Sequence, residues 1–218
     1  MIGLYTFLTI LQGLMRGAGI TIVVTLSALT IGLSLGFSLA LVRQFSRVKI
    51  LCGLIDAYVE FFRNIPALSH LFILYFGLAG LGLRLSSIAA AILGLGLIGA
   101  AVCCDIIRSG FKALSPGQKE AALAVGFRPL QTIFTILTPQ VMRIALPSLG
   151  NFAVQLLKDT SVVSAIAAPE IMFYARSMVT SSFQTTLIYA TAAGLYLVMS
   201  LPLMHVTQAL EIRYRRVK

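Results

Sequence analysis

An all-α membrane protein of about five transmembrane helices is the fold class this sequence predicts, and three observations predict it. Apolar residues make up 58% of the 218 positions and charged residues only 11%. Mean hydropathy is +0.95, far from the mixture of a soluble domain of that length. The apolar residues are gathered into runs long enough to cross a bilayer, which takes about 20 residues each. The formal net charge of +10 sits at the ends of those runs. Nucleic-acid binding would call for a basic stripe interleaved with aromatics, whereas basic residues that flank apolar runs answer to membrane topology.

Taken in order, the start, Met1-Ile2-Gly3-Leu4-Tyr5, has no positive n-region, and no A-x-A site follows a short apolar core. No cleaved signal peptide is expected. Leu4 to Gln12 reads as a short interfacial or outer segment ahead of the first span, 20–42, which carries no charge. Gly32 and Gly36 give that span a G-x-x-x-G face, on which helix backbones can approach closely. The second span, 51–83, is irregular. It contains Asp56 and Glu60 and then Arg63-Asn64-Ile65-Pro66. Pro66 removes a helix hydrogen bond and pushes Ile65 out of the α region, so the helix should break there and continue across. Arg84 falls in a short turn before the third span, 85–107, which ends around Asp105 and Arg108. The fourth span, 144–168, encloses Lys158-Asp159. Residues 169–185 are polar enough for an external connection with an amphipathic surface helix, and the fifth span covers 186–208. A single transmembrane domain, 1–218, is expected.

Five spans place the termini on opposite faces, and loop charge selects the orientation. Arg43, Arg47, Lys49, five basic residues between 108 and 143, and Arg213, Arg215, Arg216 and Lys218 fall on one side. Arg84 and Arg176 fall on the other. The basic side is cytoplasmic, so the N-terminus is outside, the C-terminus is cytoplasmic and the loop 109–143 is inside.

That loop holds the least apolar stretch, Ser115 to Pro139. Ser115, Pro116 and Gln118 form a helix-start signal of N-cap hydroxyl, proline at N1 and Gln at N3. Gly126 stands where a helix C-terminus needs a residue free to take positive φ. Arg128-Pro129 starts a second helix, which Pro139 is expected to close. Glu120-Ala121-Ala122, Gly126, Ile136 and Pro139 resemble the EAA loop, E-A-A-x3-G-x9-I-x-L-P, with Thr138 at the usual leucine. This loop marks the permease subunits of bacterial ATP-binding cassette importers.

Few residues elsewhere suggest chemistry. No glycine-rich Lys-Ser/Thr phosphate loop is present, so ATP is not expected to bind this chain. His70 and His205 are isolated on apolar stretches, and no carboxylates pair at catalytic spacing. Cys52, Cys103 and Cys104 fit neither a disulfide framework nor a metal knuckle and read as packing residues. Lys158 and Asp159 are costly inside a span, about 2.5–3.5 kcal/mol each at a helix centre. They face a wet interior beside Thr160 and Ser161, or lie at the interface where lysine snorkels. Arg63 is open in the same way, between a kink near headgroups and a translocation path.

Here a second resemblance enters. Tyr58-Val59-Glu60-Phe61-Phe62-Arg63-Asn64-Ile65-Pro66, with Leu71-Phe72-Ile73-Leu74-Tyr75-Phe76-Gly77, is similar to the Y-V-E-x-F-R-x-x-P…L-F-x-x-Y-F-G signature of polar amino-acid permeases, the histidine/glutamine/arginine type. Ile106-Ile107-Arg108-Ser109-Gly110, Leu157-Lys158-Asp159-Thr160-Ser161 and Pro169-Glu170 continue it. The resemblance implies a type I importer permease in the bacterial inner membrane, forming the translocation path of an amino-acid importer. It implies partners: two cytoplasmic ATP-binding cassette subunits, a second permease copy or homologue, and an extracytoplasmic binding protein. ATP-Mg would reside on the partner, with no cofactor on this chain. Glu120, Ala121, Ala122 and Gly126 would couple to the ATPase. Asp159, Thr160 and Ser161, with Lys158, Arg63 and Asp105, would line the substrate path. Related permeases for methionine, phosphonate or an opine are the alternative, and an ATPase-independent secondary transporter is a more distant one. Relatives carry N-x-A-A-Y in the third span, where this chain has Ile98-Gly99-Ala100-Ala101-Val102, and Asp105 replaces a usual Glu. A less polar half-site is expected, for a less polar amino acid or in a site-poor member of a heteromeric pair.

Overall fold

A computed structural model describes the backbone of residues 2–215 and the side chains of residues 6–213. Of the basic tail, Arg216, Lys218 and the side chain of Arg215 lie outside the described residues. Helix α1 (Ile2–Phe45) is followed by α2 (Lys49–Asn64) and α3 (Ala67–Phe72). A π-turn, Ile73–Gly77, carries α3 into the short α4 (Leu78–Gly80). After α5 (Ser87–Lys112) comes α6 (Gly117–Ala124). A second π-turn, Thr132–Leu137, joins α7 (Pro129–Gln131) to α8 (Thr138–Asp159). A 3-10 turn, Thr160–Ile166, leads to α9 (Ile171–Ser182) and α10 (Thr185–Arg215).

The axis of the molecule is α1. Its 44 residues span about 66 Å, roughly twice a bilayer's hydrocarbon. Three apolar clusters string along it. Ile10, Leu14 and Ala18 meet Ile171, Ala175 and Ile188. Val24 and Ala28 meet Leu71, Leu95, Leu156 and Val163. Ala40 sits with Val59, Cys103, Cys104, Ile107 and Val141. Against α5 the helices touch through glycine. A methyl on Gly36 would stand 2.6 Å from Cys103 Cβ, and Gly32 faces the Gly99 backbone. The G-x-x-x-G face is therefore a packing device, and Cys103 and Cys104 pack as small apolar residues, while half-exposed Cys52 donates to the Ser46 carbonyl.

Four segments among the described residues are long and apolar enough to cross a membrane: 6–45, 87–112, 129–166 and 185–213. The bent pair α2 and α3–α4, whose axes diverge by 106°, makes a fifth crossing if the two halves form one broken span. Two local expectations, at Leu4–Gln12 and Pro139, need correcting. Leu4–Gln12 is not a separate segment, because α1 runs through it unbroken. Gly13 and Gly17, which would weaken an isolated helix, are instead packed against Met178 and Glu170. The break expected at Pro66 is present, and it is sharp, the axes on its two sides diverging by 106°. Ile65 (φ −101°, ψ 137°) and Pro66 (φ −55°, ψ 137°) are both extended. Pro139 does not close a helix: the chain is helical from Pro129 to Asp159. The π-turn just before Pro139 widens the helix where proline's missing N–H and its ring would clash in an α-turn.

Candidate functional site

Three polar regions interrupt the apolar architecture. The first is the loop around α6. Its start differs slightly from expectation: α6 begins at Gly117, and the Ser115 carbonyl, not a hydroxyl cap, accepts the Gln118 N–H at 3.1 Å. Its end is a Schellman motif. Gly126, at φ +91°, donates to the Leu123 carbonyl, and Phe127 donates to that of Ala122, the 5→2 and 6→1 pattern a left-handed glycine permits. Gln131 Oε1 then accepts the Arg128 N–H at 3.4 Å, opening α7. Within α6 only Ala122 is buried, and Lys119, Glu120 and Ala121 are exposed. Leu123, Val125 and Leu130 are also exposed, an apolar rim on a polar module. Gln140 Nε2 donates to Gln118 Oε1 at 2.7 Å, tying α6 to α8. A cavity of about 460 Å³ lies between α6 and the ends of α1 and α5, lined by Gln44, Phe45, Phe111, Lys119, Glu120 and Leu137 among others.

The second region lies between α2 and α5. Arg63 Nη1 donates to Asp105 Oδ2 at 2.7 Å, so the structure joins two residues that sequence reading had singled out separately. Both remain partly exposed, at 44% and 39%. Beside them Asn64 Nδ2 donates to Glu60 Oε2 at 2.6 Å. Nearer the start of α2 is a cluster that sequence reading missed. Arg43 grips Asp56 through Nε and Nη2, both at 2.8 Å, and Arg108 Nη1 adds a third bond at 3.0 Å. The signal was present as one acid amid basic flanks, but its partners lie on α1 and α5, far along the chain. His70, just past the break, is buried against Phe61 and Phe62.

The third region is where α8 becomes the 3-10 turn. Lys158 and Asp159, adjacent in sequence, serve different surroundings. Lys158 and Ser161 line a cavity of about 740 Å³ between α8 and α10, whose other walls include Met172, Tyr189, Tyr196, Leu197 and Met204. Asp159 is half-buried and accepts from Gln155 Nε2 at 2.8 Å. Thr160 is fully buried and donates to the Leu157 carbonyl at 2.6 Å. Behind them sits Glu170, with 0% exposure. Glu170 Oε1 accepts the Phe173 N–H at 2.7 Å, capping α9, and Oε2 accepts the Tyr196 hydroxyl. Burial, the largest influence, raises the Glu170 carboxyl above the usual carboxylate range, against the pull of those hydrogen bonds. On α5, Ile98 and Val102 are half-buried and Gly99, Ala100 and Ala101 are buried. Phe152 of α8 packs over Gly99, so this stretch offers an apolar wall.

The chain is similar to known transport proteins in sequence and in fold. Residues 28–216 match the family described as "Binding-protein-dependent transport system inner membrane component". The "Probable glutamine ABC transporter permease protein GlnM" of Bacillus subtilis (strain 168) is 35% identical, over 90% of this chain and 90% of that protein. The "L-cystine transport system permease protein TcyL" of the same organism is 32% identical, over 79% and 77%. Among solved structures, a chain of "an amino acid ABC transporter with histidines" superposes with a TM-score of 0.87 at 27% identity, covering 97% of both chains. A chain of the MetNI methionine ABC transporter gives a TM-score of 0.80 at 18% identity, over 93% and 96%, a likeness of fold alone.

Proposed function

The chain belongs to the family of binding-protein-dependent transport system inner membrane components, and from that premise we propose that it is the permease subunit of an ATP-driven amino-acid importer. The family is a membrane component of transporters, not an enzyme, and the chain is a multi-pass inner-membrane protein. Amino-acid cargo is favoured over phosphonates or opines by relatives named for glutamine and cystine at 32–35% identity. The charge asymmetry supports an outside N-terminus and a cytoplasmic α6.

The observation that carries the coupling role is the exposure of α6. A helix that buries one residue in its own chain, with Leu123, Val125 and Leu130 open beside it, suits a groove on another protein. In this reading Glu120, Ala121, Ala122 and Gly126 contact an ATP-binding cassette subunit, which holds the ATP-Mg. Closure of two cassettes would draw two such helices together. Movement would pass to α8 through Gln118–Gln140. A conformational change needs a contact that differs between states, and α6 supplies a surface for one. A second permease chain and an extracytoplasmic binding protein complete the assembly. Lys158, Asp159, Thr160 and Ser161, with the Arg63–Asp105 pair, form the polar parts of the substrate path.

The test is reconstitution of the chain with its ATPase, binding protein and any second permease subunit in proteoliposomes. ATP-dependent uptake of at least one of L-glutamine, L-cystine and L-histidine is expected. Uptake that proceeds without the ATPase would refute the reading in favour of a secondary transporter. Uptake confined to non-amino-acid solutes would refute the cargo.

A further inference from the structure

Glu170 has more to do than cap a helix. It lies at a node where α1, α9 and α10 meet. Its backbone is pressed against α1, where a methyl on Gly17 would come within 2.4 Å of the Glu170 carbonyl carbon. The adjoining Ile171 N–H donates to Thr21 Oγ1 at 3.5 Å. One carboxylate oxygen caps α9 and the other accepts the Tyr196 hydroxyl of α10. Tyr196 is at the same time a wall of the 740 Å³ cavity that Lys158 and Ser161 enter. A buried carboxylate is expensive unless each oxygen finds donors, and here the donors are what join the node together.

We propose that Glu170 is a positioning residue for substrate recognition: it fixes Tyr196, and through Tyr196 the cavity wall opposite Lys158 and Ser161. Glu170 does not line the cavity. It acts from behind, so that the wall against which an amino-acid side chain is gauged keeps one shape. The inference rests on the reading of 158–161 as part of the substrate path.

Two oxygens with two separable jobs permit a discriminating test. Glu170→Asp keeps a carboxylate at the N-cap, where Asp performs well, but is one methylene too short to hold Tyr196 as well. Glu170→Gln keeps the length: its carbonyl oxygen accepts from Phe173, and its amide donates to the tyrosine oxygen. Tyr196→Phe removes only the hydroxyl. Each is assayed in the full reconstituted importer, with whichever amino acid of the panel above is taken up best. Glu170→Asp and Tyr196→Phe should each raise KM for uptake roughly three- to ten-fold, the range set by one hydrogen bond's net worth, with a much smaller fall in kcat. Glu170→Gln should stay within about two-fold of the unaltered protein, the tolerance expected where hydrogen-bond partners are retained.

A mere helix cap predicts the reverse for Asp, so a normal KM in Glu170→Asp would overturn the proposal. So would failure of both Glu170→Asp and Tyr196→Phe to accumulate as folded protein, since that assigns the node to stability. Ser161→Ala separates the underlying reading. If it leaves KM unchanged while uptake persists, the substrate path lies elsewhere. If it raises KM and the Glu170 and Tyr196 variants do not, the path stands and the positioning role falls.

Discussion

The module around α6 and the segment from Lys158 to Glu170 are both short polar interruptions of an apolar chain, yet they are held in opposite ways. Local grammar builds α6. Gly126 ends it, Arg128-Pro129 and Gln131 restart the chain, and only Ala122 is buried. Residues 158–170 take their shape from distant contacts with α1, α9 and α10, and Thr160 and Glu170 are sealed from solvent. The difference fits two tasks. A surface that engages a moving partner must stay open and need hold only itself. A segment that gauges a small molecule must have one conformation, and many neighbours are needed to enforce it.

The strongest way to break the contrast is to make the same substitution in both regions. Gly17→Ala drives a methyl to within 2.4–2.6 Å of the Glu170 and Ile171 backbone, which cannot swing aside as a side chain would. Overpacking costs about 1–3 kcal/mol or more, and sharply reduced folded yield is expected by size-exclusion profile and thermal denaturation. Gly126→Ala meets nothing within 4 Å. It bears only the penalty of positive φ, about 1–2 kcal/mol, spent on a local turn, so the protein should accumulate. Equal losses at the two sites would erase the distinction.

Next in size is uncoupling. Glu120→Lys should reach the membrane and purify with a near-normal melting profile, and Gly126→Asp with no more than the positive-φ penalty of Gly126→Ala, because neither position supports the chain's own core. Transport should fall by an order of magnitude or more, on the order of 1.4 kcal/mol of coupling, with substrate-stimulated ATP hydrolysis lost alongside. Normal stimulated hydrolysis and uptake would remove α6 from the coupling role.

These regions also differ in how far the sequence disclosed them. The α6 module was legible because its determinants are consecutive: a glycine at the C′ position and a proline two or three residues later announce themselves within one turn. Even there the details slipped. Pro139 reads as a stop, and only the preceding π-turn, which has no simple sequence signature, lets the helix pass through. Arg63 and Asp105 stood out individually as charges next to apolar runs, but their pairing joins α2 to α5. The partners of Asp56, and the Tyr196–Glu170 contact, were hidden for the same reason. Tyr196 looks like one more aromatic in an apolar run until the fold brings a buried carboxylate beside it. Residues 4–12 misled in the other direction: their short apolar run looked separate, and packing by α9 makes them part of α1.

The Asp56 cluster gives a smaller effect that sharpens the comparison. It braces α2 against α1 and α5 from the side on which α6 sits, with Arg43, Asp56 and Arg108 exposed at 30%, 40% and 17%. Asp56→Asn keeps the volume and leaves two guanidinium groups without their shared carboxylate. Solvent screens much of that loss, so destabilisation of about 1 kcal/mol is expected, the scale of a hydrogen-bonded surface pair. Thermal denaturation at low and high salt reads it: the gap between variant and parent should narrow as salt rises. A gap indifferent to salt would assign the effect to packing.

The smallest effect tests whether α6 is independent of its own chain, as its exposure suggests. Gln140 reaches Gln118 across the surface while also donating to the Ile136 carbonyl. Gln118→Ala therefore removes one exposed hydrogen bond and leaves Gln140 satisfied, at a cost of a few tenths of a kcal/mol, toward the lower end for such bonds. Stability should hardly move. If α6 passes its motion to α8 through this contact, ATP hydrolysis should persist while transport per ATP falls by roughly two-fold, a factor that a few tenths of a kcal/mol can produce. A Gln118→Ala protein with unchanged transport per ATP would leave Ala122 and the Schellman turn as the route by which α6 moves the spans.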